Sequence, residues 1–262
     1  MASQAPQLPL MYNQLEPLSN QVHADYKLSA IDATPQLAKI HAVPLVIDEF
    51  VAAQRFFPIV FSLGDNPVPL ALMGLNEGVN TFVDDEGKLL APAYVPAYVR
   101  RYPFMLARVT PEGDTLSLCF DPSSGFVGEM EEGARLFDGD QPSETTQNVM
   151  KFCEEFEVSA QRTNQFMEEL KKLDILMEGE LSVQLNSETQ PSVYRGFRMI
   201  DEEKFREMRG DELRRLNQNG ILPLLLAHLF SLPLSRDIFL RQVEQGKGPP
   251  PVPMQAPVPA QA

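Results

Sequence analysis

Tryptophan is absent from this 262-residue chain, and only two cysteines and three histidines occur in it. Cys119 and Cys153 are not joined in a CxxC pair, and His23, His41 and His228 occur singly, so no spacing proposes a zinc or iron site. Two thiols are also too few for a disulfide framework, and they read as small buried apolar side chains rather than a bridge. Basic residues are scarce as well: 22 Lys and Arg face 36 Asp and Glu, a formal charge of −14. That balance supplies no positive field for a phosphate backbone, which argues against nucleic-acid binding. There is no long hydrophobic run. The greasiest stretch, Ile221 to Leu234, is broken by Pro223, His228, Ser231 and Pro233 and is shorter than the ~20 residues a spanning helix needs, so no membrane span is expected. Met1 to Leu10 has neither Lys nor Arg nor an apolar centre, as a secretory signal would, and a cytoplasmic chain is expected. Phosphate loops of the form GxxxxGK[ST], dinucleotide GxGxxG turns and GxSxG elbows are missing too, so no cofactor is named by a motif.

What is present is ordinary for a globular chain, with 44% hydrophobic and 22% charged residues. Residues 1–40 mix Pro, Gln, Asn and Ser with scattered apolar side chains and read as a partly ordered N-terminal arm. Residues 41–245 read as an α+β domain, and the Pro- and Ala-rich tract 246–262 as a disordered or polyproline tail. Between 43 and 121, short Val-, Phe- and Leu-rich runs alternate with turn chemistry. Phe56–Leu63 meets Gly64-Asp65-Asn66-Pro67 and then Val68–Leu75; Thr81–Val83 meets Asp84-Asp85-Glu86-Gly87 and then Lys88–Ala91; Phe104–Thr110 meets Pro111-Glu112-Gly113-Asp114 and then Thr115–Phe120. These predict an antiparallel sheet of roughly six strands built from sequential hairpins.

Pro142 and Ser143 offer a helix start. From Val149 through Phe152, Cys153, Phe156, Phe166, Met167 and Leu170, apolar residues recur at helical spacing, which predicts one long amphipathic helix over 144–175 that packs on the sheet. A further hairpin and helices are expected over 181–245, with Gly210 and Gly220 as breaks. Seven basic and six acidic residues over 195–215 are placed for pairing along a solvated helix surface, not for reading DNA.

The densest group of recognition chemistry is Tyr94-Val95-Pro96-Ala97-Tyr98-Val99-Arg100-Arg101-Tyr102-Pro103-Phe104. Rings and planar guanidinium groups in one short stretch suit carboxylate, phosphate or aromatic ligands. On an extended chain adjacent side chains face opposite ways, so only one of Arg100 and Arg101 would line a given sheet face. Tyr94, Tyr98, Arg100, Arg101 and Tyr102 are therefore candidate binding residues at a sheet edge. Glu49 joins them as an acid within reach of an arginine, and Asn80 as part of a loop at the same end of the sheet. An internal pairing of either arginine with Asp48 or Glu49 is the structural alternative.

His41-Ala42-Val43-Pro44-Leu45 with Asp48-Glu49-Phe50, then Leu72-Met73-Gly74-Leu75 with Asn80-Thr81-Phe82-Val83, and above all Tyr94 to Phe104, resemble the bacterial SapC-like family. Gly196-Phe197, Gly220-Ile221-Leu222 and Ala227-His228-Leu229 carry the resemblance to about residue 240. Leu89, Leu90 and Ala91 stand where many members have a tryptophan. The resemblance implies no established reaction; it implies a link to a bacterial surface-array locus and to neighbours such as flavin-dependent halogenase-like proteins. Three readings stay open on sequence. The first is a non-catalytic accessory protein that binds a partner protein or an anionic small molecule through the Tyr/Arg stretch. An enzyme that modifies or transfers a small molecule or peptide, with Glu49 or His228 as acid/base, is the second. The third is a surface-layer-associated protein.

Overall fold

The computed structural model describes residues 8–109, 116–184 and 191–248. The expected turn at 111–114, most of residues 186–192, where the expected hairpin within 181–245 would reverse, and nearly all of the 246–262 tail lie outside the described residues. The chain opens with β1 (Glu16–Pro17), α1 (Asn20–His23), β2 (Lys27–Leu28) and β3 (Ala42–Pro44). It continues through α2 (Phe50–Ala53), β4 (Ile59–Phe61), β5 (Pro69–Leu72), α3 (Ala97–Arg100), β6 (Phe104–Arg108) and β7 (Leu116–Phe120). Four short strands follow, β8 (Val127–Gly128), β9 (Ala134–Arg135), β10 (Phe137–Asp138) and β11 (Gln141–Pro142), before the long helix α4 (Glu144–Leu173). The remainder is β12 (Leu176–Glu178), β13 (Leu181–Val183), β14 (Ser192–Tyr194), β15 (Arg198–Ile200), α5 (Glu202–Arg206), α6 (Gly210–Gln218), α7 (Ile221–Ser231) and α8 (Ser235–Glu244).

The fold class is α+β, with antiparallel pairing throughout the described strands. The expected strands divide among several sheets, however. A five-stranded sheet runs β12-β15-β4-β5-β3, so strands from both ends of the chain share it. The β4–β5 hairpin pairs Ile59 with Ala71, and β15 joins β4 where Arg198 faces Phe61. The β6–β7 hairpin instead forms a three-stranded sheet with β1, in register from Phe104 opposite Phe120 to Arg108 opposite Leu116. Strand β2 pairs with β8 and β9, which ties the N-terminal arm into the body. The hairpin expected around residues 84–87 shrinks to a single bridge between Val83 and Leu89. Gly87, at φ 81°, brings this loop close to Thr34, where an added Cβ would stand 2.0 Å from the Thr34 carbonyl oxygen. That approach bends the loop onto the arm instead of into a ladder.

Helix α4 forms where the apolar period placed it. Ser143 caps it, its Oγ accepting from the Thr146 N–H, and Asp174 ends it in a left-handed conformation. Glu144 in the first turn and Lys171 and Lys172 in the last match the helix dipole. Its C-terminal half sends Phe166, Met167 and Leu170 into the larger of two hydrophobic clusters, beside Phe50, Phe61 and Ile200. Its N-terminal half sends Cys153 into a smaller cluster with Phe104, Leu118, Phe120 and Leu136. Each fully buried Phe or Leu in these clusters contributes roughly 1.5–3 kcal/mol. One helix thus bridges two cores, and the junction between them positions the site described below.

The α7 region differs from its expectation. A 3-10 turn at Leu232–Leu234 links α7 to α8, and the whole run Ile221–Glu244 is long and apolar enough, by length and composition, to cross a membrane. Ile221, Leu225, His228, Ser231, Ile238 and Phe239 of this run are buried in the protein, whereas Phe230, Leu240 and Val243 are exposed.

Candidate functional site

The Tyr/Arg stretch is not an extended sheet edge. Pro96 and the four residues of α3 make one helical turn between Tyr94 and the start of β6. The cause lies elsewhere in the chain. The Glu49 carboxylate, 5% exposed, accepts from the Ala97 backbone N–H at 2.5 Å, the Tyr94 hydroxyl at 2.7 Å and the Val46 N–H at 3.3 Å. It supplies the acceptor that the free N–H of the turn needs, from a different segment. Burial, and then the bond to Glu49, push the Tyr94 phenol up to about 12. On a helical turn successive side chains are rotated by roughly a third of a circle rather than a half. The strict alternation expected for Arg100 and Arg101 is therefore replaced, although the two still diverge.

Arg101 points inward and is 7% exposed. Its guanidinium carbon lies 4.2 Å from the Phe156 ring centroid, 4.6 Å from that of Tyr98 and 5.9 Å from that of Tyr12. Glu157 approaches its Nη1 at 3.6 Å, while Nε has no hydrogen-bond partner among the described residues. A weakly hydrated planar cation between ring faces is stabilised by cation–π attraction. The rings have internal duties too. Tyr98 donates to the Leu10 carbonyl at 2.8 Å, Tyr12 to the Phe104 carbonyl at 2.7 Å, and the Tyr102 hydroxyl accepts from Gln36 at 3.0 Å. Burial raises all three phenols above their ordinary value, with Asp121 adding to the effect at Tyr102. Tyr98, Arg101 and Tyr102 therefore pin the arm and the two cores together.

Arg100 points outward, with 47% of its side chain exposed. It rests over Phe152, 5.1 Å from the ring centroid, and over Tyr94 at 5.9 Å. Its polar contacts are long: Nη2 is 3.5 Å from the Tyr94 hydroxyl and 4.0 Å from Glu49. Beside it lies a cleft of about 330 Å³, lined by Leu28 and Ile31 of the arm, Phe104 of β6, and Val149 and Phe152 of α4. Arg101, Tyr102, Asn148 and Cys153 complete the lining. Cys119 and Cys153 are both free thiols, and burial pushes the Cys153 thiol up to about 11, so it is neutral.

Two expected participants do not reach this place. Asn80 is fully buried, its Nδ2 donating to the Leu37 and Ile40 carbonyls at 3.0 Å each and its Oδ1 accepting from the Phe82 N–H at 2.9 Å. Its loop folds onto the 35–40 turn, so the side chain staples backbone. His228 is equally sealed: Nε2 accepts from the Ile200 N–H at 3.1 Å, and Nδ1 donates to the Ile59 carbonyl at 2.7 Å. Desolvation lowers its pKa to about 4. It stitches β4 to β15, and Glu49 holds the α3 turn, so both members of the expected acid/base set are bonded to backbone groups. Sequence reasoning missed Tyr12, Phe152, Phe156 and the arm residues Leu28 and Ile31. Phe152 and Phe156 were legible as part of the helix stripe; nothing local marked Tyr12, Leu28 or Ile31.

A family model described as SapC matches residues 18–238 of the chain. The chain belongs to the SapC family. No curated protein and no solved structure matches it. The SapC region begins at residue 18 and so takes in β2, Leu28 and Ile31 as well as the Tyr94–Phe104 stretch and α4. All the elements that line the cleft lie within the SapC match, including the part of the arm that the residue 40 boundary set apart.

Proposed function

We infer that this SapC-family protein is a non-catalytic binding protein that recognises an anionic small molecule at the cleft beside Arg100. The observation that carries the reading is the state of that guanidinium. An arginine offers several N–H donors in a fork suited to an anion, yet the sole hydrogen bond recorded for the Arg100 side chain among the described residues is the long one to Tyr94. It is held over Phe152 on the edge of an apolar hollow, half in water, while the neighbouring Arg101 is consumed internally. Small-molecule sites share this design of apolar walls with a few placed polar groups, and the volume of about 330 Å³ falls at the lower end of their range.

The test is native mass spectrometry of the full chain purified from its own host without denaturation. The wild-type protein should carry a small acidic adduct that the Arg100→Gln protein has lost, while Arg101→Lys, whose effect is on packing, should keep it in the folded fraction. An adduct retained by Arg100→Gln, or a stoichiometric protein companion and no small molecule, defeats this assignment; the second result favours the protein-partner alternative.

A further inference from the structure

The lining of the cleft narrows the chemistry of its occupant, an inference that rests on the binding reading above. The polar side chains bordering the cleft are Arg100, Arg101, Tyr102 and Asn148. Arg101 is enclosed by the rings of Tyr98 and Phe156 and faces Glu157, and the Tyr102 hydroxyl is engaged with Gln36. That leaves Arg100 and Asn148, both reaching solvent. The other walls are hydrocarbon, and Cys153, a neutral buried thiol, behaves as one more apolar surface. Asn148 lies one helical turn before Phe152 on α4, the ring over which Arg100 rests.

This arrangement discriminates. A sugar or nucleotide would carry several hydroxyl or phosphate groups against walls that offer few donors or acceptors, and buried polar groups without partners are costly. A dianion is disfavoured too, because the one available guanidinium already stands 4.0 Å from the Glu49 carboxylate. A single carboxylate beside the exposed Arg100 and Asn148, with an apolar body against the remaining side chains, suits this lining. A volume of about 330 Å³, at the lower end of the range for small-molecule sites, favours a short apolar body.

We propose that the cleft binds a medium-chain fatty acid, its carboxylate held by Arg100 and Asn148 and its chain laid against Phe152, Val149 and Phe104. Leu28 and Ile31 of the N-terminal arm cover the chain. Because β2 is hydrogen-bonded to β8 and β9, the cover is part of the folded body, and longer chains would have to displace it.

The test is calorimetric titration of the full-length protein with octanoate, octan-1-ol, octanedioate and inorganic phosphate. Octanoate should bind saturably at one site, octan-1-ol about tenfold more weakly for want of the charged head, and octanedioate not measurably, since its second carboxylate would enter hydrocarbon. Arg100→Gln should weaken octanoate about tenfold and Arg206→Gln, a surface change far along the chain, should leave it unchanged. A fluorescent Ile31→Trp protein, in a chain with no other tryptophan, should report octanoate by a saturable emission change, which keeps the test independent of whether core variants fold. Equal binding of octanoate and octanedioate, or octanoate binding indifferent to Arg100→Gln, overturns the proposal. Arg100-dependent binding of phosphate without octanoate overturns the fatty-acid class and leaves the anion-binding reading standing. Silence of all four ligands in both calorimetry and fluorescence, with no acidic adduct on the native protein, overturns both.

Discussion

The two hydrophobic clusters of this protein differ in what borders them. Around the larger one, buried polar side chains are locked to backbone: His228 to Ile59 and Ile200, Asn80 to Leu37, Ile40 and Phe82, and Ser231 to the Ile59 N–H at 2.8 Å. Each of them holds one segment to another distant in sequence. Beside the smaller cluster lies a cleft with a half-exposed arginine over Phe152 and the free Cys153 thiol in its lining. The difference teaches where to look for function. Satisfied polar groups in a sealed core explain folding, whereas a charged group with unused donors next to a hollow is where the proposed ligand would be held.

The contrast can be broken most directly by truncation. Phe61→Ala, in the larger cluster, should cost ~3–5 kcal/mol of stability in urea unfolding, while Phe152→Ala on the cleft wall should cost clearly less. Equal losses would mean that the cleft wall is as tightly packed as the main core. Acid should act next most strongly, and through the larger cluster. The His228 pKa is lowered to about 4 from an ordinary 6.5, so between those values the unfolded chain binds the extra proton. Its contribution is present above pH 6.5 and falls by ~3 kcal/mol as the pH drops to about 4. Unfolding measured across that range should show this slope, and His228→Asn should flatten it. A slope that His228→Asn leaves intact would move the acid sensitivity to another group.

Glu49→Ala should cost ~1–3 kcal/mol, because it strips the acceptor from the Ala97 and Val46 N–H groups and the Tyr94 hydroxyl. It should also bring the Tyr94 phenol down from about 12 in an ultraviolet pH titration, since the bonded carboxylate is one of the causes holding it up. The smallest effect belongs to Arg100→Gln, whose stability in the same urea assay should stay within about ±0.5 kcal/mol of the wild type. A larger loss would put Arg100 with the structural groups of the main core and erase the contrast.

Parts of this architecture were legible along the chain. The α4 stripe was visible because a helix repeats its face every three or four residues, and Ser143 announces its cap. The β4–β5 and β6–β7 pairs were visible because Gly- and Pro-containing sequences separate the two strand patterns of each. The importance of Tyr94 to Phe104 was visible as composition. The helical turn of α3 was not, since a carboxylate almost fifty positions earlier supplies its cap. Likewise, nothing near Arg198 says that it faces Phe61, and nothing near Leu28 says that it walls a cleft.

By itself, the order of apolar, polar and turn-forming residues determined the α+β class, the long helix and the stretch that carries the rings and guanidinium groups, because those signals are local and periodic. Which arginine is buried, which is half-exposed, which acid caps the turn, and that the arm closes a hollow between two cores were decided by the tertiary structure alone. Those outcomes depend on contacts between segments far apart in the chain, where burial and hydrogen-bond partners are set by packing rather than by neighbours in sequence.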